Sequence, residues 1–232
     1  MSTLPALAAG LASRTSAFRA AAVAAAVLGA SLNPVIARQR VVHDRVFPPE
    51  KLAELAPPDR DDWQQPDAIM DALGIASGDR VADVGAGGGW FTVRLARRVG
   101  PSGRVYAEDI NPTMLKSIGL AVEREGLTNV ETKLGTPDDP KLPAGLQAAL
   151  IVDLYSYFGD PVRVLRNIAA ALGPKGRLGI VDFKTDGAGG PGRDLSERIE
   201  PDVIIRDAKA AGLKLRRHET FLRYQYLLVF EK

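Results

Sequence analysis

The residues of this chain best suited to chemistry are acids and glycines placed where apolar runs end. Val81-Ala82-Asp83-Val84 runs into Gly85-Ala86-Gly87-Gly88-Gly89, four glycines in five positions. A helical pattern follows at once, with Phe91, Val93, Leu95, Ala96 and Val99. The order is strand, tight turn, helix. Glycine serves such a turn because it reaches backbone angles that other residues avoid and lets a ligand touch the main chain. The amides of the turn and of the new helix then point at the ligand with partial positive charge. The stretch is expected to bind a nucleotide-like or amino-acid-like small molecule. A second run, Arg104 to Ile110, carries Glu108 and Asp109, and Asp109 lies 24 residues after Gly85. Nucleotide folds place a ribose-gripping carboxylate at about this distance, because its two oxygens accept bonds from both vicinal hydroxyls. Pleat alternation sends only one of the two acids to the ligand. Further on, Thr136-Pro137-Asp138-Asp139-Pro140 holds two adjacent acids in a loop. The strand Ala148 to Tyr155 delivers Asp153, Tyr155, Ser156 and Tyr157 to the carboxyl edge, where open α/β sheets bind their ligands.

Spacing narrows the ligand. A dinucleotide fold asks for G-x-G-x-x-G/A, but Trp90 stands where the third small residue belongs. The glycines fall instead as Asp83-x-Gly85-x-Gly87-x-Gly89. This resembles motif I, D/E-x-G-x-G-x-G, of the class I S-adenosylmethionine (SAM)-dependent methyltransferases. Glu108-Asp109-Ile110-Asn111-Pro112-x-Met114-Leu115 resembles the D-I/V-x-P-x-M-L pattern that follows it in that family. Gly173-Pro174-Lys175-Gly176 resembles the L-x-P-G-G turn before strand five, with Lys175 in place of the first glycine. The resemblance covers roughly residues 63–232, motif after motif in order.

The resemblance implies SAM as cofactor, held by Asp83, Gly85, Ala86, Gly87, Gly89, Asp109, Ile110, Asp138 and Asp153. In the family, the acid closing strand one engages the methionine amino group directly or through water, which falls to Asp83. Asp109 takes the ribose and leaves Glu108 facing solvent, and Ile110 packs on the adenine. Asp138 receives the adenine amino group, with Asp139 as an N-cap or solvated turn residue. At the end of strand four, Asp153-Leu154-Tyr155-Ser156-Tyr157-Phe158 departs from relatives that often carry histidine at the place of Ser156. Histidine could act as a general base near neutral pH; serine cannot without help. Either the acceptor needs no base, or Asp153 or a tyrosine such as Tyr155 assists, or activity is lost. Methyl transfer is an in-line displacement on a sulfonium, so the protein mainly aligns donor and acceptor. No triad or metal cluster is required, and the acceptor is not written in the sequence. The implied function is SAM-dependent methyl transfer to a small molecule. One rival is a non-catalytic SAM-binding or scaffold protein of the same fold. The other is an NAD-dependent oxidoreductase, disfavoured by Trp90, by the Asp83 spacing and by the terminal hairpin described below.

Composition fits this reading. The chain has 232 residues, 46% hydrophobic and 25% charged, room for one α/β domain of ordinary size plus a tail. Thirty Lys and Arg against 28 Asp and Glu give +2 without a basic run, which disfavours a nucleic-acid partner. There is no cysteine, so no disulfide or thiolate metal site can form. His43 and His218 are the only histidines and show no ligand spacing, so no metal is expected.

Periodicity supplies the elements that position these residues. Pro66 to Leu73 reads as an amphipathic helix, with Ile69, Met70 and Leu73 on one face. Helices are also expected over Pro112 to Glu125, after the Asp160-Pro161 cap, and over Leu195 to Ala211. Asn129 to Gly135 and Arg177 to Phe183 read as further strands. Lys214 to Phe221 and Gln225 to Glu231 read as an antiparallel pair joined by a short link. The order implies an α/β, Rossmann-like class I methyltransferase fold: a seven-stranded, mostly parallel sheet of order 3-2-1-4-5-7-6 with an antiparallel C-terminal hairpin. The domain is expected over 66–232. Residues 38–65 form an N-terminal extension, in which Trp63 and Gln64 suit either a lid over the cofactor or a plug at the sheet edge.

Residues 1–37 contain no acid; Arg14 and Arg19 precede an alanine-rich run from Ala20 to Leu32, and Val35-x-Ala37 offers small residues at its exit. That is the layout of a secretory signal peptide, with an organelle transit peptide as rival. The run is too short and alanine-rich for a membrane span. Export to the periplasm is the expectation, with the cytoplasm or an organelle as alternatives. Removing 1–37 deletes two arginines and leaves 28 basic and 28 acidic residues.

Overall fold

A computed structural model describes residues 47–187 and 190–232. The signal-like segment 1–37 and the start of the extension lie outside the described residues. The strands are β1 (Arg80–Val84), β2 (Arg104–Asp109), β3 (Val130–Leu134), β4 (Leu146–Val152), β5 (Leu172–Phe183), β6 (Lys214–Glu219) and β7 (Gln225–Glu231). They form one sheet of order β3-β2-β1-β4-β5-β7-β6. β1 to β5 run parallel, and β7 is antiparallel to both β5 and β6. This is the fold expected from the motif order, including the terminal hairpin.

The helices are α1 (Arg60–Gln64), α2 (Pro66–Ala72), α3 (Trp90–Val99), α4 (Pro112–Arg124), α5 (Pro161–Ala171) and α6 (Pro201–Ala210). Parallel strands are normally covered by helices on both faces, and residues 81–84 of β1 and 148–151 of β4 are buried throughout. One apolar layer joins Leu165 and Ile168 of α5 and Ile204 and Ala208 of α6 to Ile180, Leu228 and Phe230. The opposite layer joins Ile69 and Met70 of α2 and Leu95 and Val99 of α3 to Leu150, Val181 and Val229. Each such side chain contributes about 1.5–3 kcal/mol on burial. Two helices start as the sequence suggests. Asn111 accepts from the Thr113 amide at 2.9 Å ahead of Pro112, and Asp160 accepts from the Arg163 amide at 3.0 Å ahead of Pro161.

Three elements differ from expectation, the first being β4, which runs from Leu146 to Val152 rather than from Ala148 to Tyr155. The helix expected over Leu195 to Ala211 is a 3-10 turn at Leu195–Glu197 followed by α6 from Pro201. Proline has no N–H for the helix interior but suits its first position. β5 begins at Leu172, five residues before Arg177, because Leu172 pairs with Leu146 ahead of a register shift.

The chain steps outward from β1 to β3, then crosses back to lay β4 against the other side of β1. The carboxyl ends of β1 and β4 therefore flank a topological switch point, where such sheets open a crevice.

Candidate functional site

The cleft at that switch point has a volume of about 1320 Å³ and is lined from both sides. On the β1–β2 side the turn needs its glycines: Gly85, Gly87 and Gly89 have φ of +67°, +55° and +83°. Side chains there would also collide, since a Cβ on Gly85 would run into Leu154 and one on Gly87 would come within 3.0 Å of Leu55. Leu52 and Leu55, from a 3-10 turn at Pro49–Leu55, lie against the glycines.

Asp83, Glu108 and Asp109 surround this cradle. Asp83 is buried at the end of β1 and accepts from the Thr92 hydroxyl at 2.6 Å. Burial lifts its pKa to about 6, against the pull of the Thr92 bond and the Arg60 charge. Asp109 accepts from the Gly87 amide at 3.0 Å and from the Asn111 amide at 2.8 Å. These bonds hold its carboxylate under the turn, and burial raises its pKa.

Glu108 corrects the sequence reading. It does not face solvent: it is 3% exposed, and its Oε2 accepts from the Gly85 amide at 3.2 Å. Its carbonyl accepts from Ala86 at 2.8 Å. Alternation does put Glu108 and Asp109 on opposite faces, but both faces of β2 are covered at this end. A Cβ on Gly135 would collide with the Glu108 carboxyl, so the missing side chain there makes its room. Burial, with Asp109, Asp83 and Asp139 nearby, pushes its pKa up to about 8.

The β4–β5 side is assembled from distant segments. Asp153 follows β4 with a φ of 55°, a left-handed conformation that costs roughly 1–2 kcal/mol for a residue with a Cβ. Two amides hold it there. Gln225 of β7 donates to Oδ1 at 2.6 Å, and Gln64 of α1 approaches Oδ2 at 3.5 Å and donates to Gln225 at 2.9 Å. Burial raises the Asp153 pKa against the charges of Arg60 and Arg193. Gln64 is fully buried, so it plugs the sheet end. Trp63 packs against Phe183 and Tyr224 at 6.2 and 6.4 Å and also lines the cleft.

Arg60 spans the two sides. Its guanidinium lies 4.2 Å from the Trp90 ring centre and donates to Gln64 Oε1 at 2.5 Å and to the Leu55 carbonyl. Burial lowers its pKa, while Asp153 and Asp83 raise it. Its helix is clamped to α3 by Arg94, which donates to both oxygens of Asp61 at 2.9 and 2.6 Å.

Other expected residues are placed as follows. Ala86 and Ile110 line the cleft, Ile110 being 38% exposed at its rim. Asp138 turns outward to Arg163 at 3.5 Å and leaves the cleft wall to Thr136, Pro137 and Pro140. Asp139 accepts from the Lys141 amide at 2.8 Å, a turn role. Tyr155 is not at the carboxyl edge. It is fully buried against Phe158, and its hydroxyl donates to Asp207 at 3.0 Å. β4 ends at Val152, short of the expected Tyr155, and a 3-10 turn at Tyr155–Tyr157 carries the ring inward. Tyr157 lines the cleft instead.

Sequence reasoning passed over Arg60, Arg193 and Gln225. Gln225 left a trace as the one polar residue opening the apolar strand QYLLVF. The arginines sit in a Pro/Asp-rich approach to the short α1 and in a Gly-rich loop, with no periodicity to give their direction.

The site suits a zwitterionic nucleoside. Glycines leave the backbone accessible, Asp83 suits an ammonium, Arg60 a carboxylate and Asp109 a ribose diol. Among the described residues no cluster of three metal-ligating side chains occurs, and no helix is long and apolar enough to cross a membrane.

Residues 81–176 match the family described as a methyltransferase domain. The chain is similar to nocamycin O-methyltransferase of Saccharothrix syringae, 32% identical over 120 residues that cover 48% of this chain and 40% of that protein. It is also similar to an uncharacterized methyltransferase of Mycobacterium bovis, 34% identical over 146 residues, 63% of this chain and 53% of that one. The chain thus spans about half the length of these relatives or less. A SAM-dependent methyltransferase from Aquifex aeolicus has the same fold, with a TM-score of 0.75 and 24% identity, covering 80% of this chain and 98% of that structure.

Proposed function

We propose that the chain is a class I SAM-dependent methyltransferase that transfers a methyl group from SAM to a small-molecule acceptor, a reading supported by the methyltransferase-domain match over residues 81–176 and by the shared fold. One observation carries this reading: the glycine turn, Asp83, Asp109 and Arg60 converge on one end of a cleft that continues past Asp153 to a separate aromatic wall. When bound, SAM supplies a methyl group already activated on a sulfonium. The work left to the protein is alignment and exclusion of water. Asp83 holds the methionyl ammonium, Arg60 the carboxylate and Asp109 the ribose hydroxyls. Leu52, Leu55 and Trp63 keep water from the junction with the acceptor.

Calorimetric titration of the full chain with SAM, S-adenosylhomocysteine (SAH) and NAD tests the reading. Micromolar affinity, about −8 kcal/mol, is expected for the first two and none for NAD. NAD binding in their place would overturn it. Tight SAM binding without turnover across an acceptor panel would favour the scaffold reading that Ser156 motivates. Residues 1–37 support export of the protein; N-terminal sequencing of material from a bacterial periplasm, expected to begin near Arg38, tests that part.

A further inference from the structure

The Asp153 end of the cleft carries a second cation besides Arg60. Arg193 reaches it from the chain after β5, half-buried, with its guanidinium 4.6 Å from the ring centre of Tyr157. It donates to the Asp153 carbonyl and to the Ser156 hydroxyl. Arg198, itself buried, donates to the Arg193 carbonyl at 3.0 Å and to the Lys184 carbonyl at 2.9 Å, which fixes the segment. Of the five N–H groups a guanidinium offers, these bonds use two. Among the described residues no carboxylate lies within ion-pair distance of Arg193. Asp153 and Asp182 act on it only through space.

Among the described residues that line the same end, none is a ready proton acceptor. Both Asp153 oxygens face side-chain amides, and Ser156 is 2% exposed beneath Arg193. The described histidine, His218, lies on β6 beside Tyr226, outside the cleft lining. The surrounding wall is Trp63, Tyr157 and Phe183, and the buried Trp63 Nε1 has no hydrogen-bond partner.

We propose that Arg193 anchors the methyl acceptor, and that the acceptor is a planar, conjugated organic oxyanion, a carboxylate, enolate or acidic phenolate. This rests on the methyltransferase reading and names the substrate class of its site. An oxygen already ionised at neutral pH needs no base, which fits serine at position 156. A guanidinium pairs such an oxygen with directional, charge-assisted bonds, while the aromatic wall stacks on the conjugated body.

The test uses the full chain saturated with SAH and two probes of one shape, 2-naphthoate and neutral 2-naphthamide, titrated by calorimetry. Wild type should prefer the anion by at least about tenfold. Arg193→Gln should bring the ratio close to one while SAH affinity stays within about threefold of wild type. Arg193→Lys, which keeps charge but loses the fork, should retain part of the preference. Ser156→Ala, which keeps the cation and removes one tether, should retain most of it. Equal binding of the probes, binding of neither, or a preference that survives Arg193→Gln would each overturn the proposal. Loss of SAH binding in wild type would overturn the cofactor reading, and the acceptor assignment with it.

Discussion

At the β1–β2 end of the cleft the polar groups facing the ligand come from residues 83–111, apart from Arg60. The β4–β5 end instead gathers Gln64, Asp153, Ser156, Arg193 and Gln225 from separate stretches, with Gln64 and Gln225 in contact across 161 positions. The first end is a backbone site. Its shape comes from positive φ angles and from amides bonded to the two acids of β2. The second is a side-chain site, held by amide-to-carboxylate and guanidinium-to-carbonyl bonds. A backbone site suits a cofactor whose structure does not vary. A side-chain site can be rebuilt for a different acceptor without disturbing the turn.

The sharpest way to break this contrast is a large side chain in the turn. Gly87→Val places a β-branched residue at φ +55° with its Cβ against Leu55. SAH affinity should fall at least about 100-fold, close to 3 kcal/mol, while far-UV circular dichroism stays unchanged. Retained affinity would mean the turn does not touch the cofactor.

The matching change at the other end is Gln225→Leu. It takes the 2.6 Å bond from Asp153 and the acceptor from Gln64, both buried. Stranding buried polar groups costs about 1–3 kcal/mol each, so the melting midpoint in denaturant should drop accordingly. SAH affinity should stay within about threefold. A loss as large as that of Gly87→Val would show that the two ends are one energetic unit.

The same contrast explains what the sequence revealed. The succession of strands and helices and the glycine cradle follow from short-range patterns, apolar runs and glycine spacing, while the sheet order and the choice of Asp109 over Glu108 come from the resemblance to the methyltransferase family. Those patterns are local because a βαβ unit is local. Tyr155 is expected at the carboxyl edge because the strand reads three residues too long, and Asp138 is carried over from the resemblance into a loop that no local pattern orients. Arg193 and Gln225 join the site only through tertiary packing, and nothing near them in the chain announces it.

Glu108 is the instructive exception, since it lies in the legible half and was still assigned to solvent. One polar residue beside another on a strand was assumed to face water, yet the glycine turn folds over the end of β2 and leaves no water to face. A carboxyl there is held in its neutral form. Its folded pKa of about 8 stands above the ordinary 4.5. Between those two values the unfolded chain has released the proton and the folded chain has kept it. Stability contributed by the neutral carboxyl is therefore full below about pH 4.5 and is lost as pH rises toward 8. Glu108→Gln cannot ionise, and its amide oxygen can still accept from the Gly85 amide. The variant should lie close to wild type near pH 5 and exceed it by roughly 3–4 kcal/mol near pH 8, read from denaturant melts at the two pH values. Parallel pH profiles for the two proteins would mean that water reaches Glu108, and that the backbone site is more open than its hydrogen bonds imply.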